Sequence, residues 1–259
     1  MLLAIDIGNT NVTIGLAEGE EWRHVWRLPT STEADALLFY ETRLADWMLE
    51  AEVPPERIRQ CVISSVVPDL APIFDQLTRT LFQQVPVLVG PAIYPQLPLL
   101  IERPHELGTD LLANALAAYC LYRRDCIVVD FGTALTFTSV NEQGRILGVS
   151  IAPGLRTAIG ALYQKTAQLP EVPLELPPSA VGKDTITAIQ SGVLVGYVGL
   201  VRHLLEAIRG ELGAHYIAVA TGGLSSILHP LRGDFDFVEP HLTLHGLRLI
   251  GGFVADYQK

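Results

Sequence analysis

Two short stretches of this chain put a carboxylate, a glycine and small hydroxyl or amide side chains at the end of an apolar run. The first is Asp6-Ile7-Gly8-Asn9-Thr10-Asn11, the second Asp130-Phe131-Gly132-Thr133-Ala134-Leu135-Thr136. A glycine in a tight strand-to-strand turn lets backbone N–H groups converge on an anion, so such a turn can hold phosphate. A carboxylate closing an apolar strand has to be paired, hydrogen-bonded or facing a metal ion. One such turn alone reads most simply as Asp and Asn making ordinary turn hydrogen bonds. The same arrangement in two equivalent places reads instead as two loops for a polyphosphate, with Asp6 and Asp130 placed around Mg²⁺.

Other chemistries find no support. The sequence has no G-x-x-x-x-G-K-[ST] loop, no G-x-G-x-x-G after a strand, no H-E-x-x-H and no G-x-S-x-G. His241 and His245 are spaced i, i+4, but no further ligand accompanies them and no structural metal is assigned. Eighteen Lys plus Arg against 28 Asp plus Glu give a formal net charge of −10, which disfavours a nucleic-acid binder because no basic surplus supplies counterion release. The three cysteines, Cys61, Cys120 and Cys126, form no C-x-x-C pair, so the expected compartment is the reducing cytoplasm. The N-terminal apolar run meets Asp6 without a basic region or cleavage site and is not read as a signal peptide. The uncharged stretch Ile186 to Val201 is shorter than a span of about 20 residues, so no membrane partner is expected.

The elements that position the two loops repeat as well. LLAIDIGNTNVTIGLA (2–17) and CIVVDFGTALTFTSV (126–140) each read as strand, Asp-x-Gly turn, strand. In the first half a third strand EWRHVWRL follows, then a helix opened at Thr32, strand CVISSVV, a helix begun at Pro68, strand VPVLV and a helix over 107–122. The second half predicts strands over 126–131, 134–140 and 145–151, a long helix near 184–209, strand YIAVA, a helix after Thr221-Gly222-Gly223, strand FDFVE and a terminal helix near 242–256. Hairpins make the first strands antiparallel, and helical crossovers make the rest parallel, so each half is a mixed five-stranded sheet flanked by helices. Two α/β domains, 1–118 and 119–259, with a cleft between them are expected. The proline-rich segment 168–182 is a loop or extended arm. Gly192, Gly196 and Gly199 suit close approach of another helix.

Taken together, these motifs resemble the type III pantothenate kinases, a family of the acetate and sugar kinase, Hsp70 and actin superfamily. The resemblance runs end to end through D-x-G-N-T-N (6–11), S-S-V-V-P (64–68), P-x-E-L-G-x-D (104–110), D-F-G-T-A-x-T (130–136), I-x-P-G-L (151–155) and T-G-G (221–223). It implies two duplicated actin-like (ribonuclease H-like) domains. The implied activity is ATP-dependent phosphorylation of the primary hydroxyl of pantothenate, the first step of coenzyme A synthesis. Mg²⁺, a monovalent cation (K⁺ or NH₄⁺) and a homodimer are implied with it. By the same resemblance Asp110 is the general base, Asp6, Gly8, Asn9, Thr10 and Asn11 form the first ATP loop, and Gly132, Thr133 and Thr136 the second. Thr221, Gly222 and Gly223 complete the nucleotide site, Gly108, Thr109, Asp110 and Thr185 contact pantothenate, and Asp6 and Asp130 are the metal residues. A carboxylate at 110 suits this chemistry, because phosphoryl transfer needs an in-line hydroxyl whose proton a nearby Asp can accept.

Some positions depart from the family pattern. Leu111 stands where the family has an Arg associated with the substrate carboxylate, Ile101 lies near the place of an aromatic residue, Thr138 replaces an Asp, and Val149 replaces a Gly. An apolar Leu cannot replace a bidentate guanidinium. Arg103, Arg156 or Lys165 would have to supply the missing cation. The alternatives are a different small hydroxyl acceptor, or a nucleotide-binding regulatory protein without turnover.

Overall fold

The computed structural model describes residues 1–223 and 229–257. Contacts divide the chain into two compact units, Met1–Ala117 with Thr243–Lys259, and Ala118–Leu242.

In the first unit, strands β1 (Leu2–Ile7), β2 (Asn11–Glu18) and β3 (Glu21–Pro29) form an antiparallel meander. Helix α1 (Ala36–Glu50) leads to β4 (Gln60–Ser65), and α2 (Ala71–Phe82) to β5 (Val87–Leu88), each added parallel. The sheet order is β3-β2-β1-β4-β5. Helix α1 begins four residues after Thr32, and its N-cap residue, Asp35, makes no side-chain capping bond. Alternation along the strands decides which side chains go where. Leu3, Ile5 and Ile7 of β1 and Cys61 and Ile63 of β4 enter a core with Tyr40, Leu44, Phe74 and Leu77 of α1 and α2. Ala4 and Asp6, with Val62 and Ser64 beside them in register, therefore take the opposite face.

That second face is covered by α3 (Thr109–Tyr122) and the terminal helix α7 (Leu242–Tyr257). A Cβ on Gly246 of α7 would run into the backbone of Ala113 in α3, and one on Gly251 would meet Leu2 and Val62 at 3.0 Å. Thr243 Oγ1 lies 2.8 Å from Asn114 Oδ1, to which it donates. Sequence order placed this helix with the 119–259 half. Its packing places it in the first unit, because two glycines let it lie directly on α3 and the sheet.

The second unit repeats the plan. Strands β6 (Cys126–Phe131), β7 (Ala134–Val140) and β8 (Ile146–Pro153) form the meander, while β9 (Ile217–Thr221) and the short β10 (Phe237–Val238) add parallel to β6. Its order, β10-β9-β6-β7-β8, is that of the first sheet, so the duplication read from the two Asp-x-Gly hairpins extends to every strand. Between β8 and β9 lie α4 (Leu155–Lys165), which the sequence reading missed, and one long helix. The long helix comprises α5 (Thr185–Gln190), a π-helical turn (Ser191–Val195) and α6 (Gly196–Leu212). It is long and apolar enough by length and composition to cross a membrane. Its Leu194, Val198, Val201 and Leu205, however, are buried in the unit's core with Ile127, Val129 and Phe137, so its apolar face serves that core. Segment 168–182 has no helix or strand, as expected. The helix expected after Gly223 begins in residues outside those described.

Candidate active site

The strand pattern that buries Ile5 and Ile7 leaves Asp6 on the α3 face, directly beside Thr13 of β2 and Ser64 of β4. Ser64, fully buried, donates from Oγ to Asp6 Oδ1 at 3.1 Å, and the same Oγ lies 2.9 Å from Thr109 Oγ1. Thr109 also donates to the carbonyl of Ser65 at 3.3 Å. A continuous run of hydroxyls thus ties the first loop's carboxylate to the N-terminus of α3, where the next residue is Asp110. Ser64 belongs to S-S-V-V-P, a motif that by itself gives it no role, and its position in register with Asp6 supplies one. Replacing it with Ala would remove the bond to Asp6 and the hydroxyl contact with Thr109. We expect Ser64→Ala to lose about 1–2 kcal/mol of stability in urea unfolding and to lower turnover. Unchanged stability and turnover would show that the bridge is idle.

The first turn uses Gly8 for closure. Its N–H donates to Asn11 O at 3.0 Å, and its carbonyl accepts from Thr30 Oγ1 at 2.6 Å, while Thr30 N donates to Thr10 O at 3.0 Å. The Gly8 amide is therefore spent within the turn, and Asn9 and Thr10 are the exposed residues at its tip. In the second unit Gly132 N–H donates to Ala134 O at 3.1 Å in the same manner. Its neighbour Thr133 is pinned through its carbonyl, which accepts from Gly154 N at 2.9 Å and from Thr157 Oγ1 at 2.8 Å. A side chain on Gly154 would run into the carbonyls of Gly132 and Thr133. The I-x-P-G-L motif thus acts as a clamp on the second loop.

Asp130 repeats the placement of Asp6. It stands between Thr136 of β7 and Thr221 of β9, just as Asp6 stands between Thr13 and Ser64. Both threonines are buried, and Thr136 Oγ1 has no hydrogen-bond partner among the described residues. Gly222, at φ +91°, leaves β9 so close that a Cβ would lie 2.5 Å from Asp130 Oδ1 and 2.7 Å from Phe131 N. Gly223 is exposed and borders the undescribed residues. Among the described residues no group of three or more His, Cys, Asp or Glu side chains could hold a metal. Any cation here would rest on single carboxylates with hydroxyl and phosphate oxygens, the donor set that Mg²⁺ and alkali ions prefer.

Asp110 sits in the first turn of α3, where the helix dipole favours a carboxylate. Its Oδ1 accepts from Leu111 N at 2.8 Å and would lie 2.6 Å from a Cβ at position 108, so the glycine before it makes room for the carboxylate. Burial raises its pKa above the usual carboxylate value, against the lowering effect of the hydrogen bonds from the N–H groups of Leu111 and Asp110 itself. Leu111 is buried and brings no polar group. Arg103 is paired with Glu106 at 3.2 Å on the surface, each side chain largely exposed. Sequence reasoning missed Tyr94, a buried phenol that feels the charge of Asp110.

Thr185 opens α5 in the second unit. The N-cap is its neighbour Asp184, which accepts from Thr187 N at 2.9 Å, while Thr187 Oγ1 accepts from Asp184 N at 3.2 Å, forming a capping box. Relieved of capping, Thr185 is exposed on an open groove with Lys183, Leu162 and Leu169.

A sequence profile of the family described as type III pantothenate kinase matches residues 2–207. A type III pantothenate kinase of Dehalococcoides mccartyi (strain CBDB1) is 40% identical over 251 residues, covering 96% of this chain and 94% of its own length. One from Anaeromyxobacter sp. (strain K) is 41% identical over 250 residues, covering 96% and 98%. Among solved structures, component A of the (R)-2-hydroxyglutaryl-CoA dehydratase of Acidaminococcus fermentans superposes with a TM-score of 0.55 at 14% identity, over 100% of this chain and 99% of that one. At that identity the likeness is one of fold, and the fold is the duplicated actin-like one.

Proposed function

The chain belongs to the type III pantothenate kinase family and transfers a phosphoryl group from ATP to the primary hydroxyl of pantothenate in coenzyme A synthesis, and we propose that Asp110 is the base of that reaction. The observation that carries this assignment is the carboxylate's setting. It is desolvated, placed over Gly108 and linked through Thr109 and Ser64 to Asp6 on the strand that enters the first loop. Phosphoryl transfer passes through a loose transition state, so the protein's work is positioning and charge stabilisation. Asp110 orients the acceptor hydroxyl and takes its proton as the new O–P bond forms. A carboxylate with a raised pKa suits that task, because the alkoxide-like oxygen gains more from a more basic partner.

In this reading Asp6, Gly8, Asn9, Thr10 and Asn11 form one phosphate-binding turn and Gly132, Thr133 and Thr136 the other, with Thr221, Gly222 and Gly223 at the nucleotide. Gly8 and Gly132 serve by closing the turns, and Asn9, Thr10 and Thr133 at the tips make the contacts. Gly108, Thr109 and Thr185 bind pantothenate. Mg²⁺ and K⁺ or NH₄⁺ fit the carboxylates of Asp6 and Asp130, and the orphaned hydroxyl of Thr136 beside Asp130 is a suitable further oxygen donor. Bound there, a cation neutralises phosphate charge during transfer. Three free cysteines agree with a reducing cytoplasm. A homodimer is supported by the long helix, where side chains at Gly192, Gly196 and Gly199 would meet open space beside the exposed Ile186 and Val195.

The test is ADP formation by the purified protein with ATP, Mg²⁺ and K⁺, with and without pantothenate, and the mass of the product. Pantothenate-dependent ADP and phosphopantothenate are expected. ATP binding without that product would return the chain to the altered-acceptor or regulatory readings.

A further inference from the structure

The acceptor end of the first unit includes a turn that no motif marks. Strand β5 runs parallel to β4, with Val87 beside Val62 and Leu88 beside Ile63, and Val89 N donates to Ile63 O at 2.8 Å. The chain leaving β5 therefore emerges at the same carboxyl edge of the sheet as Ser64 and Ser65, where Thr109 and the start of α3 are held. There Ile93 N donates to Gly90 O at 3.0 Å, and Tyr94 opens a 3₁₀ turn, Tyr94–Gln96. Tyr94 is 5% exposed. Its phenol is pushed above its ordinary pKa by burial and by the charge of Asp110, so it stays an O–H donor within reach of that carboxylate's field. Gln96 Oε1, in the same turn, is buried without a hydrogen-bond partner among the described residues. A turn selected for packing alone gains nothing from a buried amide oxygen that closes on no protein atom, since buried polar groups are otherwise almost always paired.

We propose that Tyr94 contacts the acceptor, its phenolic O–H donating to the secondary hydroxyl of pantothenate next to the reacting one, and thereby selects which alcohols are presented to Asp110. The inference rests on Asp110 being the base. It gives the pantoyl end of the substrate a polar anchor of its own. The secondary hydroxyl is one quaternary carbon away from the carbon that bears the reacting hydroxyl, so a donor beside the base is suitably placed to grip it. Gln96 Oε1 would accept from a donor brought by the same substrate.

Tyr94→Phe keeps the buried ring and removes only the phenolic oxygen, so folding should be little affected, which urea unfolding and the KM for ATP will check. The decisive comparison is kcat/KM of wild type and Tyr94→Phe on pantothenate and on its analogue lacking the secondary hydroxyl. Losing one neutral hydrogen bond predicts a drop of about tenfold for the variant on pantothenate. The wild type should lose a similar factor on the analogue, and the variant should then equal the wild type there. A variant unchanged on pantothenate, or one impaired equally on both compounds, overturns the inference while leaving Asp110 in place. A wild type with no turnover of pantothenate overturns the reading of Asp110 and this inference with it.

Discussion

Asp110→Asn is expected to lower kcat for pantothenate phosphorylation by about 10²- to 10⁴-fold, the usual contribution of a positioned general base, and to leave ATP affinity near the wild-type value. The substitution keeps the shape of the side chain and one hydrogen-bond acceptor for Leu111 N–H, so the first turn of α3 should survive. The same variant should be more stable than the wild type at neutral pH. Burial raises the folded pKa of Asp110 above the ordinary Asp value of about 3.9. Between the unfolded and folded values the native state binds more protons than the unfolded one, and stability falls as pH rises through that window. Above the window the ionised carboxylate carries its full desolvation cost, which an amide does not. The stability gain of Asp110→Asn in urea unfolding should thus be largest at neutral pH and vanish below the unfolded carboxylate's pKa. In the wild type, turnover should fall on acidification with an apparent pKa above that of an ordinary Asp. A variant that keeps more than a tenth of the activity would remove Asp110 from the role of base. A stability difference that grows on acidification would contradict the sign of the burial effect.

Much of this arrangement could be read from residues alone, and the exceptions share a cause. The two Asp-x-Gly hairpins predicted both sheets because short apolar runs and glycine turns are local signals, and the duplicated order follows from repeating them. Helix α4 escaped because LRTAIGALYQK buries only Leu155 and Ile159, and Gly160 weakens its helical signal. The clamp on Thr133 draws on Gly154, inside the I-x-P-G-L motif, and Thr157, just beyond it, but its purpose depends on a carbonyl from another turn. Ser64 acquires a role only through the register of β1 with β4, and Tyr94 only through that of β4 with β5. Each of these is a relation between distant segments, which spacing along one segment does not encode. The departures at Ile101 and Leu111 were legible as substitutions, whereas the phenol nearby became visible only once the strands were side by side.

Gly246→Ala should be the most damaging small substitution outside the site, and it explains why the last helix could not be assigned from sequence order. A methyl group there would run into the carbonyl oxygen, carbonyl carbon and Cα of Ala113. Those are backbone atoms inside a helix, with no side chain to swing away, so α7 must lift from α3. Lifting it loosens the fully or nearly fully buried Leu244, Leu247 and Ile250 together. Overpacking of this kind costs roughly 3 kcal/mol, at the upper end of what one methyl group does in a core. The intrinsic preference of Ala over Gly in a helix works the other way by only about 1 kcal/mol, so the clash wins. Gly252→Ala, on the same helix but facing open space, is the matched control and should gain up to about 1 kcal/mol. Urea unfolding of the pair reads the contrast directly, and equal stability of the two variants would mean that α7 does not rest on α3 through Gly246. Activity should follow for a stated reason: α3 carries Asp110 at its first turn, and its flank is held by Gly246 and by the Thr243 to Asn114 bond. A helix free to shift by even about 1 Å misaligns a base with its hydroxyl, so Gly246→Ala should lower kcat at temperatures where the protein is still folded, while Gly252→Ala leaves it unchanged.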